Sequence, residues 1–293
     1  MKPGKGIGLL NLLFACMIIG VLIALFIPAI KASRSQARQV KCLSNLKQLQ
    51  LGWLMYADDF DGAIVNGHAW YWKRWDNSES NATSPKGWLL GQPISSTGDL
   101  ESSLRSVGRD SMIDNLKHGT LYPYIRSEKV YPCSPFAFKT QDIPIPSYSI
   151  VESMAGPTER IWGCSVPDST TSRPTTPYVT HTQDLHDPPP QSRLVFICTE
   201  TAQPSFRVSY YLNSWIGSPP MHHGRGTCMS FADGHCEHWR WQEPETLALG
   251  ELMSTGTTTI HFSPQAGHTN SDVMRLQQGV WGKRTYSDPP GAP

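Results

Sequence analysis

Five side chains able to bind a metal or carry a proton crowd into residues 222–238: His222, His223, Asp233, His235 and His238. Imidazole nitrogens and a carboxylate are ordinary zinc ligands, and a zinc-bound water would make them a hydrolase. The spacing speaks against that chemistry. His235 and His238 lie an odd number apart, so on one strand they face opposite ways. No His-Glu-x-x-His run sets two ligands on one helical face, and neither a Gly-x-Ser-x-Gly elbow nor a Gly-rich phosphate loop occurs. A catalytic metal is therefore the least favoured reading, and no enzyme is expected.

The seven cysteines offer a second chemistry. Cys16 sits in an apolar run and reads as a small hydrophobe. Cys42, Cys133, Cys164, Cys198, Cys228 and Cys236 could form disulfides in an oxidising compartment, and six thiols permit fifteen full pairings. No activating pattern marks any of them as a nucleophile. Asp233-Gly234 between alternating apolar runs predicts a two-residue hairpin turn. That turn pairs Ala232 with His235, Phe231 with Cys236 and Met229 with His238. It places Cys228 and Cys236 on opposite faces, and His223 ahead of the first strand, within reach of turn-side backbone or a carboxylate. Trp70, Trp72 and Trp75 alternate with polar residues. They could stack on sugar rings, but packing against a helix is favoured.

These groups need elements to hold them. The chain is 39% hydrophobic and 17% charged, with 24 Gly and 24 Pro, which favours short strands and many turns over a helical bundle. A net charge of +1 gives no pull toward nucleic acid. Strands are predicted over 192–199 and 206–216, followed by the 227–241 hairpin. Short helices are predicted over 114–125 and 272–281. Residues 63–108 read as a long excursion over the head, and 165–190 as a Pro- and Thr-rich loop.

The N-terminal part differs from all of this. Residues 6–30 contain no charge, with Lys2 and Lys5 before them and Lys31, Arg34, Arg38 and Lys41 after. As a helix this run reaches roughly 37 Å, enough for a bilayer core of about 30 Å. It is too long for a signal-peptide core, and no small-residue cleavage site follows it. Pro28 can kink such a helix without ending it. Beyond it, Cys42, Leu46, Leu49, Trp53 and Tyr56 form one apolar stripe, with Lys41, Lys47, Gln48 and Gln50 off it. A single helix from residue 7 to about residue 57, stopped near Gly62, is predicted.

A basic leader ending in Gly6, followed by an apolar helix with Pro28 near its end, resembles the start of type IV pilins and type II secretion pseudopilins. SNLKQLQLGWLMYADDFDG, HGTLYPYIRSEKVYPC and SRLVFICTET resemble segments of the bacterial prepilin-like proteins that carry an H-x9-DG motif. Here that motif is His223 followed by Asp233-Gly234. The resemblance implies an α+β pilin-like fold: a long N-terminal helix, its outer half packed on an antiparallel sheet with long loop insertions. It implies a leader (1–6), a transmembrane helix (7–30), an amphipathic extension (31–60), an exported head (61–281) and a disordered tail (282–293). Prepilin peptidase is the implied first partner, cleaving after Gly6 and methylating Ile7. Other pilin or pseudopilin subunits and the bacterial inner membrane are the remaining partners. The protein is then single-pass, its head in the periplasm or outside the cell. Structural calcium is the one cofactor the resemblance suggests, with Asp233, Glu200 and Asn213 as oxygen ligands.

One departure bears on assembly. The family places Glu where this chain has Asn11, and that Glu neutralises the new N-terminal amine of a neighbouring subunit. Asn11 is uncharged and cannot cancel an ammonium in low dielectric. Two functions follow: a minor, non-enzymatic filament subunit, or a membrane-tethered binding module, carbohydrate being one ligand class, that does not polymerise.

Overall fold

The computed structural model of this 293-residue chain describes residues 8–67, 87–89, 109–133, 146–154, 179–199, 205–209, 213–254 and 269–282. Helix α1, Leu9–Asp59, is unbroken for 51 residues, about 76 Å, and Pro28 lies within it. Asp61 and Gly62 then take left-handed conformations (φ 54° and 84°), and Gly62 N donates to Ala57 O at 2.7 Å. This turn ends the helix where the sequence places its stop.

The two halves of α1 have different surroundings. Leu12, Phe14, Met17, Ile18, Leu22, Phe26 and Ile30 are all exposed. Cys42, Leu46, Leu49 and Trp53 are wholly buried; Tyr56 is only half-buried, and Ala57 completes the stripe. Gln50, expected off the stripe, is also fully buried, because its Oε1 accepts from Ser230 Oγ at 2.8 Å on the facing sheet. Among the residues whose side chains are described, no helical stretch is both long and apolar enough to cross a membrane. The apolar run there, residues 12–24, measures about 20 Å.

The sheet is antiparallel, in the order β1 (Tyr148–Ile150), β2 (Leu194–Cys198), β3 (Gly226–Phe231) and β4 (Cys236–Arg240). Helix α1 crosses β2, β3 and β4 on one face. On the other lies α5, Ser271–Trp281, with Arg275 Cζ 3.7 Å from the Trp239 ring centre and Gly279 against Leu194. Helix α5 is capped by Asn270, whose side chain accepts from Val273 N, and closed by Gly282 at φ 77°. The head is α+β, a sheet between two helical layers.

Several expectations need correction. The strand expected at 206–216 is absent among the described residues: Phe206 makes a single parallel bridge to Val151. Beyond it the side chains are taken up elsewhere. Asn213 is bonded to Asn270, and Trp215 Nε1 donates to Thr246 Oγ1 of α4, Pro244–Ser254. Tertiary partners override strand propensity there. The helix expected at 114–125 is two pieces, α2 (Arg109–His118) and α3 (Tyr122–Ile125). They break at Gly119, where a Cβ would sit 2.5 Å from Trp88 O.

The hairpin register is displaced by one residue. Ser230 pairs with Cys236, Met229 with Glu237 and Cys228 with His238. Phe231 N donates to His235 O and Gly234 N to Phe231 O, so the loop holds three residues, with Gly234 at φ 96°. A turn followed by a left-handed glycine adds the extra residue. As a consequence Cys228, Ser230, Cys236 and His238 share one face, the face toward α1, which reverses the expectation for Cys228 and Cys236. The expectations for Trp70, Trp72, Trp75, Cys164, Glu200, most of the 165–190 loop and the tail from 283 fall outside the described residues.

Candidate metal centre

Four chain regions converge where α1 enters the head. Cys42 is the first wholly buried residue of α1 among those whose side chains are described. Cys133 follows a 3-10 turn at Glu128–Val130, Cys198 ends β2, and His223 precedes β3. All are buried, and one ligand atom from each of Cys42, Cys133, Cys198 and His223 lies within 4.8 Å of the others. His223 Nε2 is 3.2 Å from Cys133 Sγ and 3.7 Å from Cys198 Sγ. Cys228 Sγ also bonds to Cys42, and His222 Nε2 stands 3.3 Å from Cys198 Sγ.

Each region is held by its own contacts. Asn45, nearly one turn along α1 from Cys42, donates Nδ2 to Pro132 O at 3.2 Å, fixing the residue beside Cys133. Thr227 Oγ1 donates to Cys198 O at 2.7 Å, tying the end of β2 to β3. The His223 loop reverses through Gly224 and Arg225, both left-handed (φ 66° and 63°). His223 N donates to Gly226 O, and His238 Nε2 donates to His223 O at 2.6 Å. Tyr148 OH, from β1, donates to Cys42 Sγ at 3.6 Å.

Burial opposes a charge anywhere in this pocket. Even so, hydrogen bonds from Cys133, Cys198, Cys228 and His223 hold the Cys42 thiol well below its ordinary range. Burial and the charge at Cys42 push Cys198 well up, and Cys228 rises with it, chiefly through its bond to Cys42. Cys16, Cys42, Cys133, Cys198, Cys228 and Cys236 are all free thiols. Three sulfurs and an imidazole nitrogen are the donor set of a soft or borderline metal such as zinc, whereas calcium takes oxygen ligands.

The motif residues separate into two places. His223 faces the thiols, while Asp233 and Gly234 form the hairpin end, Asp233 exposed and Gly234 buried against α1. Asp233 Oδ1 accepts from His235 N at 3.0 Å and from His235 Nδ1 at 2.6 Å. These bonds hold its carboxyl below the usual range although slight burial works the other way. Gly234 O accepts from Lys47 Nζ at 2.6 Å. The two ends of the H-x9-DG segment thus both rest on α1, one beside Cys42 and the other at Lys47.

The sequence grouping of five metal-binding side chains is therefore split: only His222 and His223 reach the thiols, and His238 supports the His223 backbone. The oxygen set suggested for calcium is not assembled among the described residues. Asn213 exchanges hydrogen bonds with Asn270, and Asp233 serves His235. Sequence reading missed the joining of Cys42, Cys133 and Cys198 with His223, since their separations in the chain follow no ligand spacing. One signal was present: Cys42 heads the helical stripe and Cys198 closes the clearest strand, so both had to enter the core. No family model, curated protein or solved structure matches this chain.

Proposed function

We propose that the chain is a non-enzymatic, pilin-like subunit. Its N-terminal helix anchors it in the bacterial inner membrane and continues without a break into the exported head. The observation that carries this reading is the double character of α1, with exposed apolar side chains over its first half and the Cys42–Trp53 stripe buried against the sheet in its second. A head built around one end of a helix that leaves its other end bare of protein suits an anchor that can also pack beside its own kind. The charge-free sequence at 6–30 and the Lys5-Gly6 leader support it. The membrane is the occupant of the bare half, and prepilin peptidase and other pilin-like subunits are the partners.

Asn11 sets the role within a filament. Each processed N-terminal ammonium must be desolvated beside a neighbouring helix, and a charge at the bilayer centre costs about 2.5–3.5 kcal/mol on insertion scales. Glu offsets much of that and Asn11 does not, so this chain enters filaments beside Glu-bearing subunits rather than alone. Cells expressing it should yield the protein in membranes, with little in the sheared filament fraction. Asn11→Glu should raise the filament share severalfold. Recovery of the wild type as a soluble protein overturns the anchor. Its recovery as the dominant filament subunit, unchanged by Asn11→Glu, overturns the charge argument.

A further inference from the structure

We infer that Cys42, Cys133, Cys198 and His223 form a structural zinc site that clamps α1 to the head. Tetrahedral zinc with Zn–S near 2.3 Å and Zn–N near 2.0 Å sets donor-to-donor edges of about 3.8 Å between sulfurs and about 3.5 Å from sulfur to nitrogen. The two His223 Nε2 to sulfur distances, 3.2 and 3.7 Å, bracket the second value, and all four donors fall within 4.8 Å of one another. Small inward shifts of the thiols complete the tetrahedron.

The chemistry of the donors selects the metal. Three thiolates and an imidazole suit zinc and exclude the hard, oxygen-seeking calcium and magnesium. Every ligand is buried, so no position opens to water or substrate, which makes the site structural rather than catalytic. Surrounding groups already orient the ligands as outer partners of a metal site do. Tyr148 OH donates to Cys42 Sγ, His238 holds the His223 carbonyl, and Thr227 holds the Cys198 carbonyl.

Cys228 and His222 lie beside the set without completing it as well. His223 Nε2 reaches two of the three sulfurs, at 3.2 and 3.7 Å, and His222 Nε2 stands 3.3 Å from Cys198 Sγ. The four ligands come from α1, the loop after α3, the end of β2 and the loop before β3. These regions otherwise meet across long stretches of chain, so a metal bridging them fixes the angle at which the helix leaves the head. This inference stands whether or not the chain is processed as a pilin.

Zinc content of the full chain, purified in detergent without chelator, tests it. One zinc per chain is expected. Cobalt taken up in its place should give tetrahedral d–d bands and sulfur-to-cobalt charge transfer. His223→Ala and Cys133→Ser should each lower retained zinc by at least about tenfold, while Cys236→Ser leaves it unchanged. The cobalt spectrum of the wild type keeps the test decisive if a ligand variant fails to fold. Zinc lost in Cys228→Ser and kept in His223→Ala overturns the ligand set. A wild type carrying no zinc, with Cys42 in a disulfide to Cys133 or Cys198, or one that holds a different metal, overturns the site.

Discussion

Trp53→Ala should destabilise the head by about 3–5 kcal/mol, whereas Trp53→Phe should cost less than about 1 kcal/mol. Trp53 is wholly buried in the α1 stripe, between the turns that carry Leu49 and Ala57. Alanine removes the whole indole and leaves a cavity that the sheet beneath cannot close. Phenylalanine keeps most of the ring surface. It also removes an indole N–H that is buried without an acceptor among the described residues, so the lost contact is offset by relief of an unpaired donor. Urea unfolding followed by near-ultraviolet circular dichroism separates the two variants. Equal losses for both would mean that the indole nitrogen is satisfied, and no loss for alanine would mean that α1 does not pack on the sheet.

Glu152→Gln should remove most of the pH dependence of stability between about pH 5 and about pH 8. Glu152 lies in the 3-10 turn after β1, 2% exposed, with its Oε1 buried without a partner among the described residues. Burial raises its pKa from 4.5 to about 7, against a weaker downward pull from Arg207. The folded protein keeps this proton up to about pH 7, while the unfolded chain releases it near 4.5. The native state therefore binds more protons across that window, and stability falls as pH rises through it, by up to about 3 kcal/mol. Glutamine stays neutral, so the variant should match the wild type at the acid end and exceed it at the alkaline end. Midpoints of urea unfolding at both ends measure this. The same downward slope in wild type and variant would place the titrating group elsewhere.

The parts of the fold that were legible in the sequence are those governed by local period and local stop signals. The α1 stripe follows helical spacing, and Gly62 ends it because a left-handed residue is needed there. The strand Leu194–Cys198 shows as a run of Val, Phe and Ile, and α5 as an amphipathic segment between Asn270 and Gly282. The parts that were not legible depend on neighbours distant in the chain. Strand β1 is three residues that follow Pro144 and Pro146, and only its pairing with β2 makes it a strand. The hairpin register turned on one extra loop residue, which Asp-Gly alone does not announce, and that residue decides which face Cys228 takes. Gln50 is polar yet buried, because Ser230 comes to it from 180 positions away. The candidate metal centre is the extreme instance: four ligands from four separate regions of the chain, with His223 marked by its motif and the thiols by nothing but their place in the core.

We propose that α1 is a pilin-type helix serving as both anchor and core element, and the chemistry of the mature N-terminus decides it. Intact-mass and N-terminal peptide measurement on protein extracted from a bacterial host with a prepilin peptidase should find a chain beginning at Ile7 and carrying one added methyl on its amine. Abolishing the peptidase, or replacing Gly6 in the leader, should leave the first six residues in place. A chain that retains Met1 in the presence of an active peptidase, or that is cut after the apolar run so that Cys42 lies near a new free end, would contradict it.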